Sequence, residues 1–105
     1  MARFDVYRNE DAASSKRFPY LLAVQSELLD GLHTCVVVPL GRASAVGGKP
    51  MERLMPGLAL DGETWLMYTP QLAAVRTAIL RKRIGNLSDQ GPAILAALDF
   101  LFSGI

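Results

Sequence analysis

Scarcity sets the first limits on this chain. It has one cysteine, Cys35, and one histidine, His33. An intrachain disulfide needs two thiols, and a zinc site needs several Cys or His ligands, so neither is assembled within one copy. A chain without a disulfide framework suits a reducing compartment, and a cytoplasmic location is expected. An excess of charge of one sign is also missing: 11 basic side chains face 10 acidic ones, leaving a formal net charge of +1. The unopposed cations with which nucleic-acid binders hold phosphates are therefore absent at whole-chain level, and direct binding of DNA or RNA is not expected from charge. Charges or glycines interrupt every apolar run well before the ~20 residues of a membrane span. The opening Met1-Ala2-Arg3-Phe4-Asp5 has no apolar stretch of signal-peptide length, so no membrane partner is expected.

Catalytic constellations are equally scarce. No glycine-framed serine elbow accompanies His33, which reads as a structural or exposed histidine. The glycines at 41, 47 and 48 lack both the Lys-Ser/Thr ending of a phosphate loop and the spacing of a dinucleotide fingerprint. Glu10 and Asp11, in a polar loop, read as solvated carboxylates. Cys35 opens the run Cys35-Val36-Val37-Val38 and reads as a small buried hydrophobe rather than a nucleophile. The expectation is a protein without a catalytic site and without a cofactor, acting by binding.

What is present is apolar. Half of the 105 residues are hydrophobic and 20% are charged. So short a chain builds one core, and a single domain over 1–105 is expected. The apolar excess, together with the apolar end Phe102 to Ile105, points to a buried interface between two copies, a homodimer.

The pattern along the chain predicts mainly β structure. Near-alternation from Arg3 to Arg8 predicts an opening strand with one wet face. Asn9 to Arg17 has no period and reads as a mobile loop. Pro19 introduces a strand over Tyr20 to Ser26, and Asp30-Gly31 marks the turn out of it. The β-branched run Thr34 to Val38, closed by Pro39, predicts a well-buried strand. Gly41 to Pro50, with Arg42 and Lys49, reads as a second flexible loop. Leu58 to Leu60 and Glu63 to Tyr68 flank Asp61-Gly62, a strong hairpin signal, and place Trp65 in the core. Val75 to Ile84 is compatible with one more strand, though its period does not decide. Arg81-Lys82-Arg83 within it reads as a solvated strand edge that opposes aggregation. Ser88 as N-cap, apolar residues at helical spacing from Ile94 to Phe102, and Gly104 as C-cap predict a terminal amphipathic helix.

Four stretches, taken in order, resemble a known family. They are Phe4-Asp5-Val6-Tyr7, Val24-Gln25-Ser26-Glu27-Leu28-Leu29-Asp30, Val38-Pro39-Leu40, and the terminal Phe102-Ser103-Gly104-Ile105; Asp61 to Met67 is similar to the same family's hairpin. The resemblance is to the CcdB family, the gyrase-poisoning toxins of bacterial toxin-antitoxin modules. It implies a mainly β fold with a C-terminal α-helix, an antiparallel SH3-like partial barrel shared with the MazF and Kid toxins, and two copies joined as a homodimer. It further implies a toxin that binds the A subunit of DNA gyrase and traps the gyrase-DNA cleavage complex. A CcdA-like antitoxin would neutralise it with a disordered C-terminal segment, and operator DNA would be met only through the toxin-antitoxin complex, which represses its own operon.

By position, the resemblance assigns gyrase binding to Leu28, Asp99, Phe102, Ser103, Gly104 and Ile105. Ser103 stands where the family typically has tryptophan, Asp99 where an uncharged amide is usual, and Arg81-Lys82-Arg83 where the familiar member is acidic. Charge alone nominates Lys16, Arg17 and Arg42 for an acidic antitoxin tail. Two alternatives stay open: a weakly toxic or non-toxic homologue that keeps dimerisation and antitoxin binding, and an endoribonuclease of the MazF/Kid type, for which the chain offers only scattered Arg, Asp and His33.

Overall fold

A computed structural model describes residues 1–45 and 52–104. Lys49 of the second loop and the terminal Ile105 lie outside the described residues. The strands are β1 (Asp5–Arg8), β2 (Tyr20–Ala23), β3 (Thr34–Gly41), β4 (Gly57–Leu60), β5 (Glu63–Met67), β6 (Ala73–Arg76) and β7 (Arg83–Asn86), followed by the helix α1 (Gly91–Ser103). All pairings are antiparallel, in the order β4-β5-β3-β2-β1-β7, with β6 on the other half of β3. The fold is mainly antiparallel β with one C-terminal helix.

The sheet curls into a half-barrel. Its two ends approach each other: a Cβ added to Gly85 of β7 would stand 3.3 Å from Leu60 Cδ1 of β4. A register shift between Val6 and Tyr7 against β7 sharpens the twist at that end. At the β4 end the Gln90 side chain acts as a substitute strand. Its Oε1 accepts from the Ala59 N–H and its Nε2 donates to the Ala59 carbonyl, both at 2.8 Å. That amide satisfies an otherwise open edge and ties the start of α1 to it.

Alternation divides the apolar residues between two faces. Val6, Leu22, Val38, Leu40, Leu58, Trp65 and Met67 face α1 and pack with its Ile94, Ala97 and Leu98. Tyr7, Leu21, Ala23, Cys35, Val37 and Leu80 form a smaller cluster on the opposite face. Burial pushes the Cys35 thiol pKa upward, which keeps it protonated.

Several expectations are corrected. The first strand begins at Asp5 rather than Arg3, because Phe4 adopts φ 71°, outside the β region. Strand β2 ends at Ala23 instead of Ser26. There the Gln25 side chain takes over the ladder, accepting from the Val36 N–H at 3.1 Å and donating to the Thr34 carbonyl at 3.2 Å. Strand β3 runs through Pro39 to Gly41. The Pro39 carbonyl accepts from Tyr68 N–H, so its donor-less nitrogen faces the gap between β5 and β6, where no ladder bond is required. Val75 to Ile84 is not one strand. It holds the end of β6, a 3-10 turn over Thr77–Ile79 and the start of β7.

Ser88 does not cap α1. A 3-10 turn over Ser88–Gln90 leads into the helix, and Gln90, with no side-chain capping bond, holds the cap position. The segment from Asn9 to Arg17 is not a mobile loop but a hydrogen-bonded one. Buried Asn9 donates to the Phe18 carbonyl at 2.7 Å and to Ser14 Oγ at 3.0 Å, while Asp11 accepts from Ser14 Oγ at 2.8 Å. The hairpin is as read, with both Asp61 and Gly62 at positive φ (52° and 78°) between the paired Leu60 and Glu63.

Candidate functional site

The carboxyl end of α1 carries an exposed aromatic, Phe102. Ile94, Ala97 and Leu98 fill the core side, and the helix stops where Gly104 turns to φ 72°, its N–H donating to the Phe100 carbonyl. The outer stripe is Leu95, Asp99 and Phe102, at the spacing of one helix face, and Phe102 is 70% exposed. Asp99, Ser103 and Gly104 are exposed as well. On the flank, the Arg53 guanidinium lies 4.8 Å from the Phe100 ring centroid and holds that half-buried aromatic against the body. Five of the six positions nominated for gyrase thus fall within the described residues, and four of them, Asp99, Phe102, Ser103 and Gly104, come together in the last turn and its cap. Ile105 falls outside the described residues.

The fifth, Leu28, stands on a separate element. It lies in a 3-10 turn over Glu27–Leu29, where Ser26 Oγ accepts from the Leu28 N–H at 3.2 Å, and its side chain is 93% exposed. A capped turn that displays a leucine almost wholly to solvent lacks any core purpose for that side chain.

The charge-nominated residues come from two loops that meet at Gly41. A Cβ there would stand 2.8 Å from the Arg17 carbonyl and 3.1 Å from the rings of both Phe18 and Tyr68, so glycine permits this crossing. Aromatic rings support the cations on either side. Arg17 lies over Phe18, which meets Tyr68 edge-on, and Arg42 lies 4.3 Å over Trp65, which meets Tyr20 edge-on at 4.9 Å. The Tyr68 hydroxyl donates to the Arg42 carbonyl at 2.7 Å. Arg42 is already engaged by Glu63 at 3.2 Å, so an acidic partner would compete for it. Lys16 is exposed beside this cluster.

The basic run is a solvated edge, as read, and it is also ion-paired. Arg81 and Lys82 both reach Glu10, at 3.3 and 4.0 Å, which corrects the reading of Glu10 as merely solvated. Arg83 opens the edge strand β7 and reaches inward to buried Asp5 at 2.9 Å. Asn86 and the Ala2 N–H donate to the same carboxylate at 2.9 Å each, and the Tyr7 hydroxyl donates to it at 3.4 Å. Burial by itself would raise the Asp5 pKa, but the hydrogen bonds from Asn86, Arg83 and Ala2 outweigh it and hold the carboxyl below its ordinary value. Apolar periodicity carries no trace of this network. The one clue in the sequence is an aspartate placed between Phe4 and Val6 in an otherwise buried strand.

Among the described residues, no group of three His, Cys, Asp or Glu side chains gathers where a metal ion could be held. No helix among them is long and apolar enough to cross a membrane. What the arrangement offers is surface: an aromatic on a capped helix end, a displayed leucine turn, and guanidinium groups on aromatic pedestals.

Comparison with protein families gives a match over residues 3–104 to the family described as CcdB protein. The chain belongs to the CcdB family. It is accordingly a toxin of a toxin-antitoxin module, and the half-barrel with its terminal helix is the body of that toxin. The match takes in every strand, the helix and the exposed last turn up to Gly104. Partnership with an antitoxin, in the general sense of such a module, comes with the CcdB assignment.

Proposed function

We propose that this CcdB-family toxin acts on the A subunit of DNA gyrase, trapping the gyrase-DNA cleavage complex by binding and not by catalysis. It works as a cytoplasmic homodimer. A CcdA-like antitoxin neutralises it, with operator DNA reached only through their joint complex. The observation that carries the reading is the Phe102 ring, 70% exposed on the last turn of a helix whose other side is locked in the core. A rigidly held exposed aromatic buries large area on docking at little entropic cost, which is how interface anchors work. Leu28, Asp99, Ser103 and Gly104 are the accompanying contact candidates, and the Lys16, Arg17 and Arg42 cluster is the candidate landing place for an acidic antitoxin tail.

The test pairs inducible expression and growth with a gyrase cleavage assay. Deleting Gly104 and Ile105 is expected to abolish growth inhibition while leaving the melting transition in place, because the exposed cap of a terminal helix and the residue after it seldom support a core. Ser103→Trp is expected to strengthen gyrase binding by adding buried apolar area at about 25 cal/mol per Å² before ordering costs. Unchanged gyrase affinity in Ser103→Trp, with growth inhibition intact in the deletion, removes gyrase as the target.

A second reading is favoured by one residue. Ser103 is an exposed hydroxyl where the family's pattern has an indole, and a serine supplies little contact area. A toxin that keeps its antitoxin partnership but poisons weakly would show antitoxin binding without cleavage-complex accumulation in the same assays.

A further inference from the structure

One end of the sheet gathers positive charge. Arg8, Tyr20 and Leu40 stand side by side where β1, β2 and β3 pair at that end. The Arg8 N–H donates to the Lys82 carbonyl at 2.9 Å and Tyr7 pairs with Arg83, so the run that opens β7 joins the same row. Arg42 follows directly on β3, and Lys16 and Arg17 come shortly before β2. Most of the chain's 11 basic side chains therefore lie at this end, and the exposed acids among them are Glu10, Asp11 and Glu63. The formal net charge of +1 conceals this polarity. A local patch of one sign attracts a polyanion even on a nearly neutral protein.

The acidic antitoxin tail proposed above takes the Lys16, Arg17 and Arg42 part of that rim. What it leaves is the corner between β1 and β7. Arg8, exposed at the end of β1, has no acidic partner among the described residues. Arg81 and Lys82 share the single carboxylate of Glu10, with side chains 71% and 64% exposed. Arg83 gives its Nε to buried Asp5, and at 56% exposure its two terminal amino groups remain for another acceptor. The cations on these adjoining strand ends thus keep most of their donors turned to water.

A phosphate backbone and an acidic peptide both carry acceptors for such donors, and the surroundings favour the first. The depression beside Arg81 is lined by Glu10, Asp11, Ala78 and Ile79. An acidic peptide seated there meets like charge from Glu10 and Asp11. A stiff duplex lies across the corner instead of entering the depression, and long exposed side chains reach it. Its charge of about one per 1.7 Å keeps several phosphates within reach of cations a strand spacing apart.

We propose that the β1–β7 corner contacts the phosphate backbone of duplex DNA through Arg8, Arg81, Lys82 and Arg83, without reading base sequence. The proposal rests on the reading above only for the source of the duplex, which that reading supplies both in the gyrase cleavage complex and on the operator. In either setting the toxin adds phosphate contacts of its own to those its protein partner makes. By itself it holds a duplex weakly, and because the contact releases counterions, salt weakens it further.

Fluorescence anisotropy of a short labelled duplex of arbitrary sequence, titrated with the full chain from about 50 mM salt upward, tests this. A labelled polyglutamate peptide is titrated in parallel. The parent chain is expected to bind the duplex, with log K falling linearly against log salt. A triple variant, Arg8→Gln with Arg81→Gln and Lys82→Gln, leaves the pair of Arg83 with Asp5 intact. It is expected to make that slope shallower by roughly one per cation removed and to bind at least about tenfold more weakly at low salt. Its melting curve is expected to match the parent's, since exposed ion pairs add little stability. Glu10→Gln releases Arg81 and Lys82 from their shared carboxylate and is expected to bind the duplex at least about threefold tighter. A parent chain that takes up no duplex at low salt, a triple variant with the parent's slope, or binding of the polyglutamate peptide alone each overturns the proposal. Two further arms separate the sources of DNA, one with antitoxin on an operator duplex and one with gyrase on a cleavage-site duplex. The triple variant is expected to lose affinity in the arm that uses the corner, and a loss in neither overturns the proposal. The titrations with toxin alone contain no gyrase, so their failure and failure of the gyrase reading remain separate.

Discussion

Trp65 and Phe102 are both large aromatics, and the molecule treats them in opposite ways. Trp65 sits mid-strand in β5, 4% exposed, with Tyr20 edge-on to its ring and the Arg42 guanidinium over its face. Phe102 ends α1 at 70% exposure. The contrast shows that apolar character alone does not say whether a residue serves the core or a partner. A strand inside a curled sheet has neighbours on both flanks and a helix above it. The outer side of that helix has none, so an aromatic there adds nothing to the fold and is available for docking.

Trp65→Ala breaks the buried half of the comparison and carries the largest expected effect. A cavity of indole size beneath α1 is expected to cost about 3–5 kcal/mol, which lowers the melting temperature by at least about 12 °C in a domain of this size. A folded variant that melts with the parent would show that Trp65 is not part of the core.

Asp5 sharpens the comparison, since it is a polar residue at a core position. Asp5→Ala removes the acceptor for Arg83, Asn86, the Tyr7 hydroxyl and the Ala2 N–H together, an expected loss of about 3 kcal/mol at roughly 1 kcal/mol per hydrogen bond, measured by denaturant titration. The pH dependence has a definite sign. Because the folded carboxyl titrates below the ordinary aspartate value of about 3.9, its contribution is fully present above that value. It is lost as pH falls through the folded pKa, where both states are protonated. The stability difference between the parent chain and Asp5→Asn is therefore expected to be constant from pH 7 down to about 4 and to shrink below it. A difference that grows on acidification would refute the assignment.

How much of this was readable in advance depends on where each signal resides. Strand β3, the Asp61-Gly62 hairpin and α1 were legible because period, β-branching and turn chemistry all agree there. The Asn9 to Arg17 loop was misread because its order comes from side-chain hydrogen bonds of Asn9 and Asp11, which leave no periodic trace. The split of Val75 to Ile84 was hidden because four-residue strands are shorter than a period can resolve, and the ladder role of Gln25 is visible only once β3 lies beside it. At the site, the four positions Asp99, Phe102, Ser103 and Gly104 follow from one helix and its glycine cap, so their proximity was readable. The meeting of Arg17 and Arg42 was not, because it depends on two loops crossing at Gly41. The Asp5 network joins residues about 80 positions apart in sequence, beyond the reach of any local pattern.

Phe102→Ala carries the smallest expected effect on stability and tests the exposed half of the comparison. Truncating a side chain that is already 70% exposed removes little buried area, so the melting curve is expected to move by no more than about 0.5 kcal/mol equivalent. If the ring is an anchor for gyrase, the same change is expected to weaken gyrase binding at least about 30-fold, the loss that goes with 2 kcal/mol at an interface hot spot. The two readouts separate the roles: a core residue would lose stability first, and a contact residue loses affinity alone. A Phe102→Ala variant that binds gyrase undiminished would leave the exposed ring without a function, and one that melts like Trp65→Ala would mean that α1 is anchored through its last turn as well as through Ile94 and Leu98.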